Sequence, residues 1–563
     1  FVRDLSTDLT TFLTSLGDTD DATRLIEVRR FLAGAGWFDL SIPQYGSPEI
    51  LISHWSRLID VPLAAMIAIF TPFLGSDGAE TATRLAWPAL TLFAMSYLVL
   101  RETTVTGGWW AGLIVAGLIV AGPMALYQFL PGRIDHHNVQ ILTIAGGLLL
   151  MQRAMFQPRA GYFAGAMLGV GLAIGYEALV LTAAVIGVAA LMACFVKEMR
   201  DGLNRVIVAC TLTVTAVFIA TTAPSNWASI ACDALSLNLV VLLGCGAIAS
   251  SALYKFARGA GPVIWISGFA VGGAAGLALY AGVEPACLAG PFGAVDPRVK
   301  PIWLDQVLET QSLIEYSKSQ PMFGIAYAAT ALLLIAVLAH KLRTKVTPSA
   351  LFHLALVVLT VAYGCIYFRL VPYAMWIVLP GIAIWISQLR GIGETPARTI
   401  QLAALVFLNQ TTMLLAVNGT AIALMGSKAA DKSQAAEITG CQLRAPLREL
   451  AKLEPGLVVA NLDLGPHIAA HAPHRVLAAP YHRLDKGILK LYEILEASPA
   501  KAEKLLRASG ASYVVICTGK GGRRRNAGSF RETLRQGKSI DYLEPVKLGD
   551  GTAALKAWRL KDR

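Results

Sequence analysis

Long apolar runs separated by short polar stretches dominate the chain from about residue 84 to residue 424. The runs at 84–100, 108–130, 138–156, 161–177, 178–196, 204–222, 236–254, 262–282, 322–340, 348–368, 371–389 and 400–424 come near the ~20 residues a helix needs to cross a bilayer. They predict about twelve membrane spans. The connections alternate between two kinds. Arg101, Arg153 with Arg159, Lys197 with Arg200 and Arg205, Lys255 with Arg258, and Lys341 with Arg343 sit in short basic loops, which the positive-inside rule assigns to the cytoplasm. Residues 1–83, the 131–137 turn, 223–235, 283–321, 369–370 and everything after 425 then fall outside. One more apolar run, 58–75, holds Pro62 and Pro72. Counting it as a span would move every later basic loop outside, and its prolines weaken a straight spanning helix. It is expected to lie at the outer interface as a helix or hairpin. Residues 1–21 lack the basic start and apolar centre of a signal peptide, and a further membrane helix is expected before Phe1.

Three blocks follow from this pattern: an external N-terminal loop with amphipathic helices at 1–83, a helical membrane core at 84–424, and a soluble tail at 427–563. Helix-like stretches of the tail (442–452, 486–496, 501–509) alternate with β-rich runs (456–461, 512–517), which predicts a small α/β domain. The Gly- and Arg-rich stretch 519–528 reads as a loop. The expected fold is therefore mainly α, a polytopic membrane bundle with a small extramembrane α/β domain.

Composition agrees. Hydrophobic residues make up 55% of the chain and charged residues 15%, and the mean hydropathy is +0.56, whereas a soluble domain carries about 25% charge. The net charge of +11 is accounted for by cytoplasmic loops, so no nucleic-acid partner is implied. None of the eight cysteines forms a CxxC pair. Cys194, Cys210, Cys245 and Cys365 fall in or beside spans, while Cys232, Cys287, Cys441 and Cys517 are external. An oxidising compartment would pair the external four: Cys441 with Cys517, tying the start of the tail domain to its strand, and Cys232 with Cys287, in loops flanking one helical hairpin.

Ionisable groups at membrane depth are costly and therefore point to function. The groups that break the apolar pattern all fall on the outer side. In Gly17-Asp18-Thr19-Asp20-Asp21 the acids precede a helix whose apolar positions 25, 28 and 32 share one face. An N-cap explains one aspartate there but not three in four residues. Gly132-Arg133-Ile134-Asp135-His136-His137-Asn138 stands at the outer mouth of a span. Glu309 lies in the 283–321 loop, and Arg369 lies between two long spans. Such an arginine can snorkel or grip a lipid phosphate in a fork. Glu177 marks a turn between spans and is a supporting candidate.

This arrangement resembles the GT-C membrane glycosyltransferases over nearly the whole chain, and most of all the catalytic subunit of oligosaccharyltransferase and its bacterial relatives. With one helix before Phe1, the spans would number the thirteen of that subunit. The acidic motif of the family is followed six residues later by Arg, as Asp18 is by Arg24, with Asp20 as the other candidate. The stretch from Trp37-Phe38-Asp39 to His54-Trp55-Ser56-Arg57 resembles the first external loop of the bacterial relatives. Asp135-His136-His137 matches the second Asp-x-Asp with His137 in place of an aspartate, and Glu309 best matches the loop glutamate. The resemblance implies Asp18, Asp20 and Asp135 as catalytic. Arg369, with His54, Arg57 and Arg133, would meet the donor phosphate, and Asp20, Asp135, His137 and Glu309 would hold a divalent cation, Mn²⁺ or Mg²⁺. Because His137 softens that donor set and lowers its charge, metal-independent catalysis stays open beside it. The family's Trp-Trp-Asp-Tyr-Gly motif is matched only by Asn461-Leu462-Asp463-Leu464-Gly465, so the acceptor stays open: an envelope glycan, a lipid or a protein. The implied activity is transfer of a sugar or oligosaccharide from a polyprenyl-phosphate or -pyrophosphate donor within the membrane lipid, at the periplasmic face of a bacterial inner membrane. A transporter or flippase of lipid-linked glycans is the alternative, but transporters place their charges at the midplane and show repeats. Here the polar clusters lie at one face, and the sequence shows no repeat.

Overall fold

The computed structural model describes Phe12 and residues 15–307, 310–319, 321–344, 346–388, 441–442, 444–518, 528–548 and 555–562. Glu309, the predicted span 400–424 and nearly all of the 519–528 loop lie outside the described residues.

The N-terminal block starts with helix α1 (Thr19–Leu32) and a short hairpin of β1 (Ser41–Ile42) and β2 (Leu51–Ile52). Helix α2 (Arg57–Gly107) follows, 51 residues long and broken at Gly75, whose φ of 67° is open to glycine at no steric cost. The boundary expected at 83/84 thus falls inside a helix, because the chain turns at Gly75 instead. Before the break, Ile59, Leu63, Ala64 and Ile67 are buried at helical spacing against the C-terminal domain, while Ile69 and Phe73 are 62% and 81% exposed. The 58–75 run is a helix lying against the extramembrane part, with its other apolar face uncovered.

The bundle then runs through α3 (Trp109–Val120), α4 (His137–Ala154), α5 (Ala160–Ile174), α6 (Leu179–Phe195), α7 (Met199–Thr221), α8 (Leu237–Phe256), α9 (Pro262–Val283), α10 (Pro321–Thr344), α11 (Pro348–Ile366) and α12 (Val371–Gln388). Each predicted span up to 389 falls on a helix. The 108–130 run is bent by 72° between α3 and the turn at Pro123–Phe129, where Pro123 interrupts the hydrogen-bond ladder. Among the described residues six helices, or seven with that bent pair, are long and apolar enough to cross a membrane. The protein is a multi-pass membrane protein. Helix α12 is the centre of the bundle: every residue from Val371 to Ala383 is buried, as befits a helix apolar on all sides. Its Trp376 keeps its indole N–H satisfied by the Ala125 carbonyl at 2.9 Å.

The C-terminal domain is built on a five-stranded sheet. With β3 (Leu457–Ala460), β4 (Arg475–Val476), β5 (Ala511–Cys517), β6 (Leu543–Val546) and β7 (Leu555–Leu560), the order is β4-β3-β5-β7-β6. The first three strands are parallel, and β7 and β6 join antiparallel. Alternation along the strands gives the sheet two apolar faces. Val459 and Val514 pack with Ile488, Leu491 and Leu506 of the domain's own helices. Val458 and Val515 pack with Leu25, Ile26 and Val28 of α1 and with Leu63 of α2. The N-terminal loop is therefore the second layer of the C-terminal domain, and the two share one apolar core.

Both expected disulfides are present, Cys232–Cys287 and Cys441–Cys517. The second closes a loop of 76 residues, which in the chain-entropy model contributes about 4 kcal/mol. Replacing Cys441 and Cys517 together by serine should lower the thermal midpoint of the detergent-solubilised protein by several degrees. Reductant should lower the midpoint of the native chain at least as far, because it also opens Cys232–Cys287, and should lower that of the variant less. Unchanged midpoints, or free alkylatable thiols at both positions, would contradict this.

Candidate active site

Two glycines with positive φ bring the acidic motifs together. Gly17 (φ 85°) reverses the chain just before α1, and a Cβ there would stand 2.8 Å from Asp21 Oδ2. Gly132 (φ 97°) does the same before α4, its N–H donating to the Arg84 carbonyl at 2.9 Å. Asp18 caps α1: its Oδ1 accepts from the backbone N–H of Asp20 at 3.0 Å and of Asp21 at 3.1 Å. Asp21 Oδ1 accepts from the N–H groups of Ile134 (2.7 Å) and Asp135 (3.1 Å), which docks the 132–137 turn on the first turn of α1. Asp135 Oδ1 accepts from His137 N at 2.9 Å, at the start of α4.

The remaining carboxylate oxygens face one guanidinium. Arg133 Nη1 bonds Asp18 and, at 3.1 Å, Asp21, while Nη2 bonds Asp135 at 2.6 Å. Oxygens of Asp18, Asp21 and Asp135 lie within 4.8 Å of one another. Asp21 and Asp135 are fully buried and Arg133 nearly so. Three acids share one cation, and the titration of the pair reflects it. Burial, then the charge of Asp135, pushes the Asp21 carboxyl well above the usual range. Burial opposes ionisation of Asp135 too, but Arg133, then His137 and His136, outweigh it and hold that carboxyl down to about 2.

A second cluster adjoins the first. Glu177 Oε1 is 2.9 Å from Arg369 Nη1 and 3.4 Å from His136 Nε2, and its Oε2 is 3.4 Å from His137 Nδ1. The His136 and His137 rings lie 4.3 Å apart. Burial raises the Glu177 carboxyl, but Arg369 and then His137 outweigh it and leave it well below the usual range. His136 is held below its ordinary value by burial and by His137, and its Nδ1 is buried without a hydrogen-bond partner among the described residues.

No protein-family model matches the sequence, and no curated protein does. Solved structures do. The oligosaccharyltransferase of the archaeon Archaeoglobus fulgidus in its apo form aligns at TM-score 0.62 and 15% identity, over 91% of this chain and 69% of that one. The archaeal enzyme in complex with an inhibitory peptide and a dolichol-phosphate aligns at 0.63 and 15%, over 90% and 66%, and its complex with Zn and sulfate at 0.60 and 14%, over 90% and 64%. The chain thus spans about two thirds of the length of these neighbours. It has the GT-C fold, in the form seen in oligosaccharyltransferase.

On this GT-C fold the residues singled out in the sequence are placed unequally. Asp18, Asp135 and Arg133 converge, and so do Arg369 and His137 with Glu177. Asp20 does not join them: its Oδ1 accepts from the Tyr481 hydroxyl of the C-terminal domain at 2.9 Å. The third carboxylate is Asp21. Arg24 and Arg57 are held in a buried ion network, Arg24 on Glu27 (2.9 Å) and Asp60 (2.6 Å), Arg57 on Asp60 (2.8 Å) and the carbonyls of Glu27 and Asp39. They fasten α1 to α2 rather than face the carboxylates. His54 faces His482 and Asp233. The C-terminal domain reaches the site through Tyr481, whose ring is stacked on Tyr45 and set edge-on to Trp55.

Asp21 is thus a structural pin as well as a charge. Asp21→Ala would leave two buried N–H groups unpaired, each costing about 1–3 kcal/mol, whereas Asp20→Ala removes one contact to Tyr481. The thermal midpoint should fall clearly further for Asp21→Ala, with faster hydrogen exchange at residues 132–137. Equal midpoints would contradict the pin.

Proposed function

We propose that this protein is a membrane glycosyltransferase that moves a sugar or oligosaccharide from a polyprenyl-phosphate or -pyrophosphate donor to an acceptor outside the membrane. The observation that carries this reading is the pairing of two buried clusters on a GT-C fold: carboxylates around Arg133, and beside them Arg369 with two histidines on Glu177. The archaeal neighbour was solved with a dolichol-phosphate and an inhibitory peptide, which supports a lipid-phosphate donor here.

The chemistry follows from the groups. The donor phosphate displaces Glu177 from Arg369, which grips it in a fork. A bond forms between the acceptor atom and the anomeric carbon as the glycosyl–oxygen bond to phosphate breaks, and the phosphate leaves with the electron pair. Arg369, with His136 and His137 beside it, stabilises that charge in a dry, fixed setting. Asp135, ionised at neutral pH, orients the acceptor through its charge, and the acceptor proton passes to the departing phosphate. Direct displacement inverts the anomeric centre.

Asp18, Asp21 and Asp135 also fit a divalent cation. Their oxygens are hard donors within 4.8 Å of one another, and a cation there would take the place that Arg133 fills between them. Bound there, Mn²⁺ or Mg²⁺ would supply Lewis-acid stabilisation to the departing phosphate.

Sidedness is supported by two features. The basic loops lie at the end of the bundle away from the site, which the positive-inside rule makes cytoplasmic. Both disulfides, Cys232–Cys287 and Cys441–Cys517, lie on the side of the site, as an oxidising compartment such as the bacterial periplasm allows. We place the protein in a bacterial inner membrane with its C-terminal domain in the periplasm.

A transfer assay with a synthetic polyprenyl-phosphate sugar and a panel of glycan, lipid and peptide acceptors tests the reading. The purified chain should transfer sugar to one of them. Asp135→Asn should cut the rate by about 10²–10⁴-fold while the protein remains monodisperse, and Arg369→Ala should weaken use of the donor. Wild-type rates for Asp135→Asn would overturn the assignment.

A further inference from the structure

A third cluster lies between the extramembrane segments, outside the machinery just described. His54 follows β2 in the N-terminal loop, Asp233 belongs to the 223–235 loop, and His482 belongs to the C-terminal domain. One donor atom from each lies within 4.8 Å of the others. His482 Nε2 is 2.6 Å from Asp233 Oδ2, and the two imidazole centroids are 5.0 Å apart. His54 makes no hydrogen bond among the described residues, although it is packed between the rings of Trp55 and His482. Three segments remote in sequence thus each bring one metal-ligating group to a single point.

We infer that His54, Asp233 and His482 form a zinc-binding site that pins the N-terminal loop, the 223–235 loop and the C-terminal domain to one another.

The donor set selects the metal. Two imidazoles and one carboxylate suit Zn²⁺ in a tetrahedral site with a fourth position for water, whereas Mg²⁺ and Ca²⁺ favour oxygen throughout. Donors about 2.0–2.1 Å from a tetrahedral zinc stand roughly 3.3 Å apart; here His482 and Asp233 are 2.6 Å apart and all three donors lie within 4.8 Å of one another. Small side-chain rotations suffice, and the metal takes the place of the proton shared by His482 and Asp233.

The surroundings are arranged as ligand supports. A ligating carboxylate is normally held by further hydrogen bonds, and Arg483 holds Asp233 through Nε (2.6 Å) and Nη2 (2.8 Å). The same guanidinium reaches the carbonyls of Ile52 (3.1 Å) and Ser53 (3.3 Å), directly before His54. Asp233 is anchored next to the Cys232–Cys287 bridge. Phe292 sets its edge against the His482 ring at 5.2 Å, an apolar wall on that side. The consequence reaches the carboxylates: Tyr481, which holds Asp20, directly precedes His482, so zinc would fix the segment through which the C-terminal domain touches the acidic motif.

The test uses the full chain in detergent, purified without a polyhistidine tag, stripped with chelator, desalted and titrated with ZnCl₂ alone. Asp135→Asn serves as parent, so that zinc at the carboxylate cluster is not counted. The parent should retain one zinc per chain by mass spectrometry of the metal, and its thermal midpoint should rise with zinc. His54→Ala and His482→Gln in that background should each bind at least ten-fold more weakly and lose the rise. A parent without zinc, or histidine variants binding as the parent does, would overturn the site. Cobalt decides if neither variant folds: intense visible bands of a tetrahedral ion in the parent support the site, and their absence refutes it.

Discussion

Buried carboxylates at a membrane boundary must be paired, and the pairing on Arg133 is what the rest of this structure depends on. An isolated buried charge is expensive, and removing one partner of a buried pair is strongly destabilising. Asp21 and Asp135 therefore tolerate burial only if the N-terminal loop and the 132–137 turn arrive together. The loop in turn is the second layer of the C-terminal sheet, through Leu25, Ile26 and Val28 against Val458 and Val515. One electrostatic requirement thus couples the first helix, the mouth of the bundle and the last domain, which are hundreds of residues apart in sequence.

The same economy shapes the second cluster. Glu177 occupies Arg369 and both histidines, so the guanidinium and the two rings stay oriented without a ligand. On the proposed reading a donor phosphate would exchange one anion for another, taking the place that Glu177 holds on Arg369. The contact between the C-terminal domain and the acidic motif is built differently. The tail meets the acidic motif through Tyr481 on Asp20, in a wall of Tyr45, Trp55 and Tyr481, and not through the 461–467 stretch that aligned with the family's acceptor motif. His467 in that stretch is fully buried.

Much of the fold was legible because its signals are local. A bilayer demands long apolar runs, and each run up to residue 389 is a helix. The external cysteines paired as their side and position suggested. The site was legible in part. Asp135 and Arg133 stood out at the mouth of a span. The choice of Asp20 over Asp21 missed a helical argument already present: the stripe 25, 28, 32 extended backwards by a turn at a time meets 21 and 18, whereas 20 points to another face. Arg57 could have been recognised as an i,i+3 partner of Asp60. Glu177 showed only as an acid at a turn between spans, and Asp233 and His482 had no such local signal. Their partners lie 40 to 250 residues away, and only the tertiary fold brings them together.

The central claim is that the two buried clusters form one site for a lipid-linked donor at the outer mouth of the bundle. A structure by electron cryomicroscopy of the full chain with polyprenyl phosphate tests it most directly. The account predicts the phosphate within hydrogen-bonding distance of Arg369, with the Arg369–Glu177 contact opened and the lipid tail leaving into the membrane. A phosphate seated at the end of the bundle that bears the basic loops, with Glu177 still closed on Arg369, would contradict it.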